Sequence, residues 1–286
     1  PMPAFAVRDY RRELAANSAA IFRVMNDLAD DESRATYARV LFGTNEEMLA
    51  RFADEVFGPQ QYMEIVDIKP GDTIVNCGVE AGWELPYFLC RLQGRGRIFN
   101  FDPNIKWDQT RYAGFISRFG HMLNEHKIVL GAHDGDIDLP ATREGAVRPD
   151  DIGAVMAAHG APTVRYASNR LDTLAESGLF DRLDYLKMDV EGGELSILEG
   201  AAETVRRFRP KLAVAIYHQP QHFWDYPSRL MDQLDGYRFY VRQYGYSRFE
   251  TLLYAVPDED AGSSSGREGL RSTPAPPAAA QRARCP

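Results

Sequence analysis

The stretch KMDVEGGELSILEGA, residues 187–201, places three carboxylates where an apolar run meets a helical pattern. The preceding segment LDYL is typical of a buried strand, and apolar residues then recur at helical spacing: Leu195, Leu198, Ala202 and Val205. Glu194 falls in the first turn of that helix, where unpaired backbone N–H groups favour a carboxylate. Asp189 ends the strand, and a carboxylate there needs a partner. We therefore expect a functional site at this junction.

The rest of the chain alternates strand and helix signals. Apolar runs that we interpret as strands lie at 72–78, 96–104, 127–135, 183–193 and 210–219. Helical patterns between them predict a parallel sheet covered by helices on its faces. Two alternating runs at 237–245 and 250–257 then predict an antiparallel hairpin. The predicted fold class is α/β and Rossmann-like, with a mostly parallel sheet whose last strand is antiparallel.

Three regions are predicted along the chain. Residues 1–62 form a helical lead-in or lid, because two segments place apolar side chains on one helical face: Ile21, Val24, Met25 and Leu28, then Met48, Leu49, Phe52 and Val56. Residues 63–257 form the Rossmann-like domain, interrupted by an insertion at about 139–165. Residues 258–286 are rich in Gly, Ser, Pro and Ala and are predicted to be disordered.

Composition excludes several classes of function. The chain has 286 residues and a formal net charge of −8, which disfavours broad binding of nucleic acid. No apolar run approaches the roughly 18 residues of a membrane helix, and charge appears too early for a signal peptide. Three cysteines show no CxxC spacing and suit a reducing compartment, so we expect a cytoplasmic protein. Cys77 and Cys90 are interpreted as packing residues.

Polar residues at the strand ends indicate an adenosine-containing ligand, because ligands of open parallel sheets bind outside the carboxyl ends of the strands. The first strand ends NCGVEAG, with Gly78 and Gly82 suited to a tight turn. Asp102 ends the second strand and is placed to accept ribose hydroxyls, although an Asp-Pro turn is the alternative. His133 or Asp134 would lie near the adenine, with capping as the alternative for Asp134. An NAD-dependent enzyme is disfavoured because the G-x-G-x-x-G spacing is missing.

The fifth strand ends AIYHQPQHFWDYP and offers two histidines across from Asp189. His218 is the candidate general base for a hydroxyl nucleophile, and His222 is the lesser candidate. Trp224 and Tyr226 are expected to pack rather than to bind an acceptor.

With these residues quoted, the sequence resembles the FkbM family of methyltransferases, which use S-adenosyl-L-methionine. The similarity spans roughly residues 25–257. Its strongest part is RLDTLAESGLFDRLDYLKMDVEGGELSILEGAAETVRRFRPKLAVAIYH, residues 170–218, and the segment 237–257 resembles the closing hairpin of the family.

The resemblance implies a class I methyltransferase fold, with a seven-stranded sheet, and O-methyl transfer to a sugar, a polysaccharide unit or a polyketide. Gly78 and Gly82 would face the methionine end of the cofactor and Asp102 would hold the ribose. Asp189, Glu191 and His218 would surround the reacting methyl group.

Two departures from the family pattern bear on the cofactor site. Asn76 stands where the family usually carries an acid, and Asp102 stands where it usually carries Glu. Asn76 cannot pair with an ammonium group as a carboxylate does, although Glu80 or Glu84 could compensate. A catalytically silent module that binds adenosine ligands or a partner protein is therefore the alternative function.

A variant of the mechanism adds a divalent cation such as Mg²⁺, held by Asp189 and Glu191. The expected partner is a small-molecule or glycan acceptor, and neither nucleic acid nor a membrane is expected. The identity of the acceptor and the oligomeric state do not follow from the sequence.

Overall fold

A seven-stranded sheet forms the centre of the computed structural model, which describes residues 7–44, 61–79, 81–105, 113–140, 162–245 and 247–260. In spatial order its strands are β3 (Leu123–His126), β2 (Arg97–Phe101), β1 (Thr73–Cys77), β7 (Tyr185–Met188), β8 (Lys211–Ala215), β10 (Thr251–Pro257) and β9 (Tyr237–Gln243). The first five strands are parallel, and β10 is antiparallel to both of its neighbours. This order confirms the predicted fold class, including the antiparallel last strand.

The central strands are apolar because both faces of the sheet are covered. All residues of β1, β7, β8 and β10 are buried, as expected for strands between two helical layers. The described helices are Val7–Ala16, Ser18–Asp27, Asp31–Phe42, Leu85–Leu92, Ala113–Phe119, Leu171–Glu176, Glu194–Gly200, Ala202–Phe208 and His222–Gln233, with a 3₁₀ turn at Gly120–Met122.

The third strand of the sheet lies earlier in the chain than predicted. It is β3, residues Leu123–His126, and not the run 127–135, so that prediction was wrong. β3 is an edge strand that is only partly buried, so its sequence LNEH carries no apolar run. Apolar residues of the predicted strand instead form β4 (Val129–Leu130), which belongs to a second, three-stranded sheet.

The second sheet also contains the borders of the predicted insertion. β5 (Gly135–Pro140) pairs antiparallel with β6 (Thr163–Asn169), and β4 pairs parallel with β6. The segment between β5 and β6, residues 141–161, lies outside the described residues.

The N-terminal helices pack against the main sheet at its edge strand β9. Asp30 caps the helix Asp31–Phe42 by accepting a hydrogen bond from the Ser33 N–H at 2.6 Å. Ser33 Oγ accepts from the Val241 N–H at 3.0 Å, and Arg242 of β9 pairs with Asp30 at 3.2 Å. The second predicted helical face, Met48 to Val56, lies outside the described residues.

Residues 258–260 follow β10 and form ion pairs with the sheet and the helices beside it. Asp258 pairs with Arg238 at 3.0 Å and Asp260 with Lys211 at 3.4 Å. The remainder of the predicted disordered tail, residues 261–286, lies outside the described residues. None of the described helices combines the length and the apolar character that crossing a bilayer requires.

Candidate active site

A strained turn between β7 and the next helix brings the acidic residues together. Asp189 follows β7, and the chain then reverses through Glu191 and Gly192, whose φ angles are 60° and 108°. A positive φ is costly for a non-glycine residue, and such strain concentrates at functional sites. The turn places Glu194 at the start of its helix, where its side chain accepts a hydrogen bond from the Val190 N–H at 2.9 Å.

His218 follows β8 and meets these carboxylates at the carboxyl edge of the sheet. Its Nε2 atom lies 3.0 Å from Asp189 Oδ1 and 3.1 Å from Glu194 Oε1. The side chains of His218, Asp189 and Glu194 are 5%, 15% and 0% exposed. Glu191 is half exposed, and its Oε2 lies 3.8 Å from His218 Nδ1. The structure therefore places the three predicted catalytic residues together and adds Glu194 to them.

The contacts of His218 Nε2 are close, but they lack the direction of good hydrogen bonds. Neither oxygen lies along the N–H direction, and the atom is buried without a hydrogen-bond partner of acceptable geometry. The nitrogen faces two carboxylate oxygens at once, so a positive charge on the imidazole ring would interact with both carboxylates.

Three tyrosine hydroxyls donate to the same carboxylates. Tyr62 Oη donates to Asp189 Oδ2 at 2.6 Å, and Tyr217 Oη lies 3.2 Å from Asp189 Oδ1 and 3.3 Å from its Oδ2. Tyr226 Oη donates to the Gly192 carbonyl at 2.8 Å and lies 3.3 Å from Glu194 Oε2. These donors offset the cost of burying two negative charges.

The charges of the cluster shift one another's protonation. Burial favours the neutral carboxyl of Asp189, but the His218 contact, with Lys187 and Tyr62 behind it, lowers the pKa of Asp189 to about 2. Burial also favours the neutral form of His218 and so would lower its pKa, yet Glu194 and Asp189 raise the pKa of His218 well above the ordinary value. The pKa of Glu194 is lowered because His218 and the Val190 N–H outweigh burial. The cluster thus favours two carboxylates around one positive charge.

Tyr62 is held in place by several groups at once. Its backbone has a φ of 66°, its N–H donates to Tyr254 Oη at 3.0 Å, and its carbonyl accepts from Tyr185 Oη at 2.8 Å. The ring lies 4.9 Å from the Lys187 ammonium in a cation–π contact. A strained residue that is held this firmly is suited to positioning Asp189.

The glycine loop after β1 lies directly against this cluster. Gly78 has a φ of +80°, and a Cβ atom there would lie 1.7 Å from the Asp189 carbonyl oxygen. Gly82 also has a positive φ, 66°. Only glycine therefore allows the loop to pass this close to Asp189. Glycine also lets a ligand approach the backbone closely.

Asp102 lies at the end of β2, beside the same loop. Its Oδ2 accepts from the Val79 N–H at 2.9 Å and its Oδ1 from the Asn104 N–H at 2.6 Å. A carboxylate has about four acceptor sites, more than the two backbone N–H groups of Val79 and Asn104 use. The position fits the predicted ribose contact, which stays a prediction.

Asn76 belongs to a buried polar row beneath the glycine loop. It pairs in register with Asn100 of β2 and Lys187 of β7. Its amide donates to Glu84 Oε1 at 2.7 Å and to Asn100 Oδ1 at 3.1 Å. Lys187 Nζ lies 4.0 Å from Glu84 Oε1 and donates to the carbonyls of Cys77, at 3.2 Å, and Gly78. Glu84 thus supplies the carboxylate that Asn76 lacks, although burial raises its pKa despite Lys187 and Asn76.

His133 and Asp134 lie in an exposed turn between β4 and β5. Asp134 accepts from the Arg170 N–H at 2.9 Å and from Thr173 Oγ1 at 2.7 Å, so it caps the helix Leu171–Glu176. The end of the third main-sheet strand is His126, whose carbonyl accepts from the Asp102 N–H at 3.2 Å. The adenine contact of His133 or Asp134 stays a prediction.

Three residues at this site were not predicted from the sequence: Tyr62, Tyr217 and Lys187. Lys187 could have been predicted from the sequence, because a single cation within a buried strand needs an anionic partner or carbonyl oxygens. Tyr217 directly precedes His218 and was given no role. Tyr62 carried no signal, since it lies 127 residues before the carboxylate that it contacts. His222 is buried and stacks on Tyr226 with ring centroids 4.1 Å apart, and its candidate role stays a prediction.

The sheet order, the glycine loop and the acid after β2 define a class I methyltransferase fold. The sequence profile of the FkbM methyltransferase domain matches residues 76–248. This chain therefore belongs to the FkbM methyltransferase family. No curated protein is significantly similar to it in sequence.

One solved structure has a similar fold, and a second shows a weaker likeness. A crystal structure of methyltransferase FkbM from Methylobacillus flagellatus is similar with a TM-score of 0.66 and 21% identity. The alignment covers 86% of this chain and 60% of that one, so this chain spans less than two thirds of its relative. Aeropyrum pernix fibrillarin, solved with bound S-adenosyl-L-methionine, has a TM-score of 0.37 and 15% identity over 67% of this chain and 69% of its own.

Proposed function

We propose that this chain transfers a methyl group from S-adenosyl-L-methionine to a hydroxyl of a sugar, a polysaccharide unit or a polyketide-type natural product. The observation that carries the proposal is the contact between Gly78 and the Asp189 carbonyl. This contact places the glycine loop, which is suited to binding the cofactor, beside the cluster that contains Asp189 and His218, which is suited to deprotonating a hydroxyl. S-adenosyl-L-methionine, when bound, supplies the electrophilic methyl group.

The chain's own residues would bind the cofactor along the carboxyl ends of β1 and β2. Gly78 and Gly82 allow close approach to the backbone, and Asp102 accepts hydroxyl hydrogens. Glu84, held by Asn76, supplies negative charge beneath the loop. These residue types fit an adenosine ligand with a cationic end.

Proton removal from the acceptor is assigned to His218 as general base. A hydroxyl is a weak nucleophile, and positioned proton transfer contributes about 10²–10⁴-fold to rate. The two carboxylates at Nε2 favour the imidazolium, so His218 must first release that proton before it acts as the base, and turnover should increase as pH rises. Glu191, half exposed at the rim, is placed to orient the acceptor.

A silent module remains the second candidate because Asn76 replaces an acid of the family pattern. The amide oxygen of Asn76 is buried without a hydrogen-bond partner, so the buried polar row beneath the glycine loop is not fully hydrogen-bonded. A silent module would bind S-adenosylhomocysteine weakly or not at all, and it would show no turnover.

The cellular setting is also part of the proposal. Cys77 and Cys90 are free thiols, and the net charge of −8 disfavours nucleic acid as a partner. We place the protein in the cytoplasm, acting on a small-molecule or glycan acceptor.

Thermal unfolding with S-adenosylhomocysteine tests the cofactor. At about a hundred times the dissociation constant, binding adds about 2.7 kcal/mol, which raises the unfolding midpoint by about 5–10 °C. NAD is the control ligand and should produce no rise. No rise with either ligand would refute the cofactor assignment.

Mass spectrometry of hydroxylated acceptors tests the reaction, with a gain of one methylene unit as product. His218→Ala should slow turnover about a hundredfold or more and leave S-adenosylhomocysteine affinity unchanged. His222→Phe preserves the stack on Tyr226 and is the matched control. Equal turnover in His218→Ala and the parent protein would remove His218 as the base.

A further inference from the structure

The cluster at the end of β7 and β8 has the donor set of a metal site. Asp189, Glu194 and His218 each offer one ligand atom, and these atoms all lie within 4.8 Å of one another. The set combines two carboxylate oxygens with one imidazole nitrogen. Carboxylates suit Mg²⁺, Ca²⁺ and Mn²⁺, whereas imidazole suits zinc, iron, nickel and copper.

The orientation of His218 is the second, independent sign of a ligand. Its side chain is 95% buried, yet Nε2 has no hydrogen-bond partner of acceptable geometry and faces both carboxylates. Ligands about 2.1 Å from an octahedral ion are separated by about 3.0 Å at neighbouring positions. The Nε2 contacts of 3.0 and 3.1 Å match that separation.

The surrounding groups keep the donors oriented, as partners of metal ligands usually do. Tyr62 and Tyr217 donate to Asp189, and the Val190 N–H and Tyr226 donate to Glu194. Asp189 retains 15% exposure, which leaves an entry from the sheet edge.

We propose that Asp189, Glu194 and His218 bind one divalent cation of the Mn²⁺ type. The ligand set differs from the pair Asp189 and Glu191 considered above, because Glu191 points to the opposite nitrogen of His218 at 3.8 Å.

The catalytic meaning of this site rests on the proposed function. A cation here would bind the acceptor oxygen and lower the pKa of its hydroxyl. Because His218 would then be a ligand, Glu191 would replace it as the base, and the hydroxyl proton would pass to the exposed carboxylate of Glu191 and then to water. The new O–CH₃ bond would form as the S–CH₃ bond breaks, which leaves a neutral thioether.

Titration of the purified full chain with Mn²⁺, followed by electron paramagnetic resonance of the free ion, tests the site without turnover. One saturable Mn²⁺ per chain is expected. Asp189→Asn, Glu194→Gln and His218→Gln should each weaken Mn²⁺ binding at least about tenfold. Glu199→Gln is the matched control, since Glu199 is an exposed carboxylate on the same helix as Glu194.

Each outcome decides the proposal. Absence of saturable binding, or equal affinity in His218→Gln and the parent protein, would overturn it and leave a proton-bridged ionic triad. A loss in Glu191→Gln with none in Glu194→Gln would overturn the ligand set. Unfolding midpoints and S-adenosylhomocysteine affinities of all variants identify any variant that fails to fold.

The same measurements separate this inference from the proposed function. Turnover that persists with a chelator and without Mn²⁺ binding would refute the metal site alone. Loss of S-adenosylhomocysteine binding in the parent protein, with Mn²⁺ binding intact, would refute the proposed function alone.

Discussion

Substitution of Gly78 by Ala tests whether the glycine loop and the acidic cluster depend on each other. The added Cβ would lie 1.7 Å from the Asp189 carbonyl oxygen, in a backbone with φ of +80°. That oxygen cannot retreat freely, because the Asp189 N–H donates to the Cys77 carbonyl at 3.1 Å and fixes the strand end. The left-handed conformation costs about 1–2 kcal/mol, and the overlap adds about 1–3 kcal/mol. We expect a total loss of about 2–5 kcal/mol in the free energy of unfolding.

Gly178→Ala provides a matched control for the conformational part. Gly178 has a φ of +82°, and a Cβ there meets nothing within 4 Å. Its loss should therefore be only about 1–2 kcal/mol. Denaturant unfolding of both variants, with S-adenosylhomocysteine binding as a second readout, separates the two contributions. Equal losses in the two variants, with cofactor binding retained in Gly78→Ala, would refute the close approach of loop and cluster.

Three further predictions concern polar contacts in the site and at the β9 edge of the sheet, and the last of them includes a control variant. Tyr62→Phe removes the 2.6 Å hydrogen bond to Asp189 and should cost about 1.5–3 kcal/mol in thermal unfolding, with S-adenosylhomocysteine affinity unchanged. Glu84→Gln should stabilise the fold at neutral pH. Burial raises the pKa of Glu84 in the folded protein, so the parent protein loses stability as pH rises from about 4.3, the ordinary Glu pKa, to that raised pKa. The Gln variant does not have this loss. The gain from Glu84→Gln should therefore vanish below pH 4, and a gain at all pH values would contradict this cause. Arg242→Met removes the buried cation that pairs with Glu64 and two other carboxylates and should cost about 2–3 kcal/mol, whereas Arg238→Met, at an exposed ion pair on the same strand, should cost at most about 1 kcal/mol.

Burial decided which parts of the fold were predictable from sequence. β1, β7 and β8 lie between helical layers, so their residues form apolar runs that any pattern search finds. β9 and β10 were found because they form two successive runs of strand-forming residues. β3 was missed because an edge strand receives hydrogen bonds on one side and little burial, so its polar sequence resembles a loop.

The site was predictable where chain order fixes position. Asp189 and His218 follow adjacent parallel strands, and the carboxyl ends of such strands meet at one edge of the sheet. Glu194 was expected as a helix-start residue or a site residue, and its geometry fits both, since it accepts a backbone N–H and also contacts His218. Tyr62 could not be predicted, because its contact with Asp189 depends on how a segment before β1 folds over the sheet edge.

Asn76, the residue that departs from the family pattern, lies beside a carboxylate that could supply the missing negative charge. Its amide donates to Glu84 at 2.7 Å, so the two residues form one unit in which the negative charge lies on Glu84. An aspartate at position 76 would place two carboxylates side by side in a buried site and would lose the donor that Glu84 now accepts from. The carboxylate has thus moved from the strand to the start of the helix Leu85–Leu92, and Lys187 beneath the loop remains within 4.0 Å of it. The residue to examine for cofactor binding is therefore Glu84, and Asn76 matters because it holds that carboxylate in place.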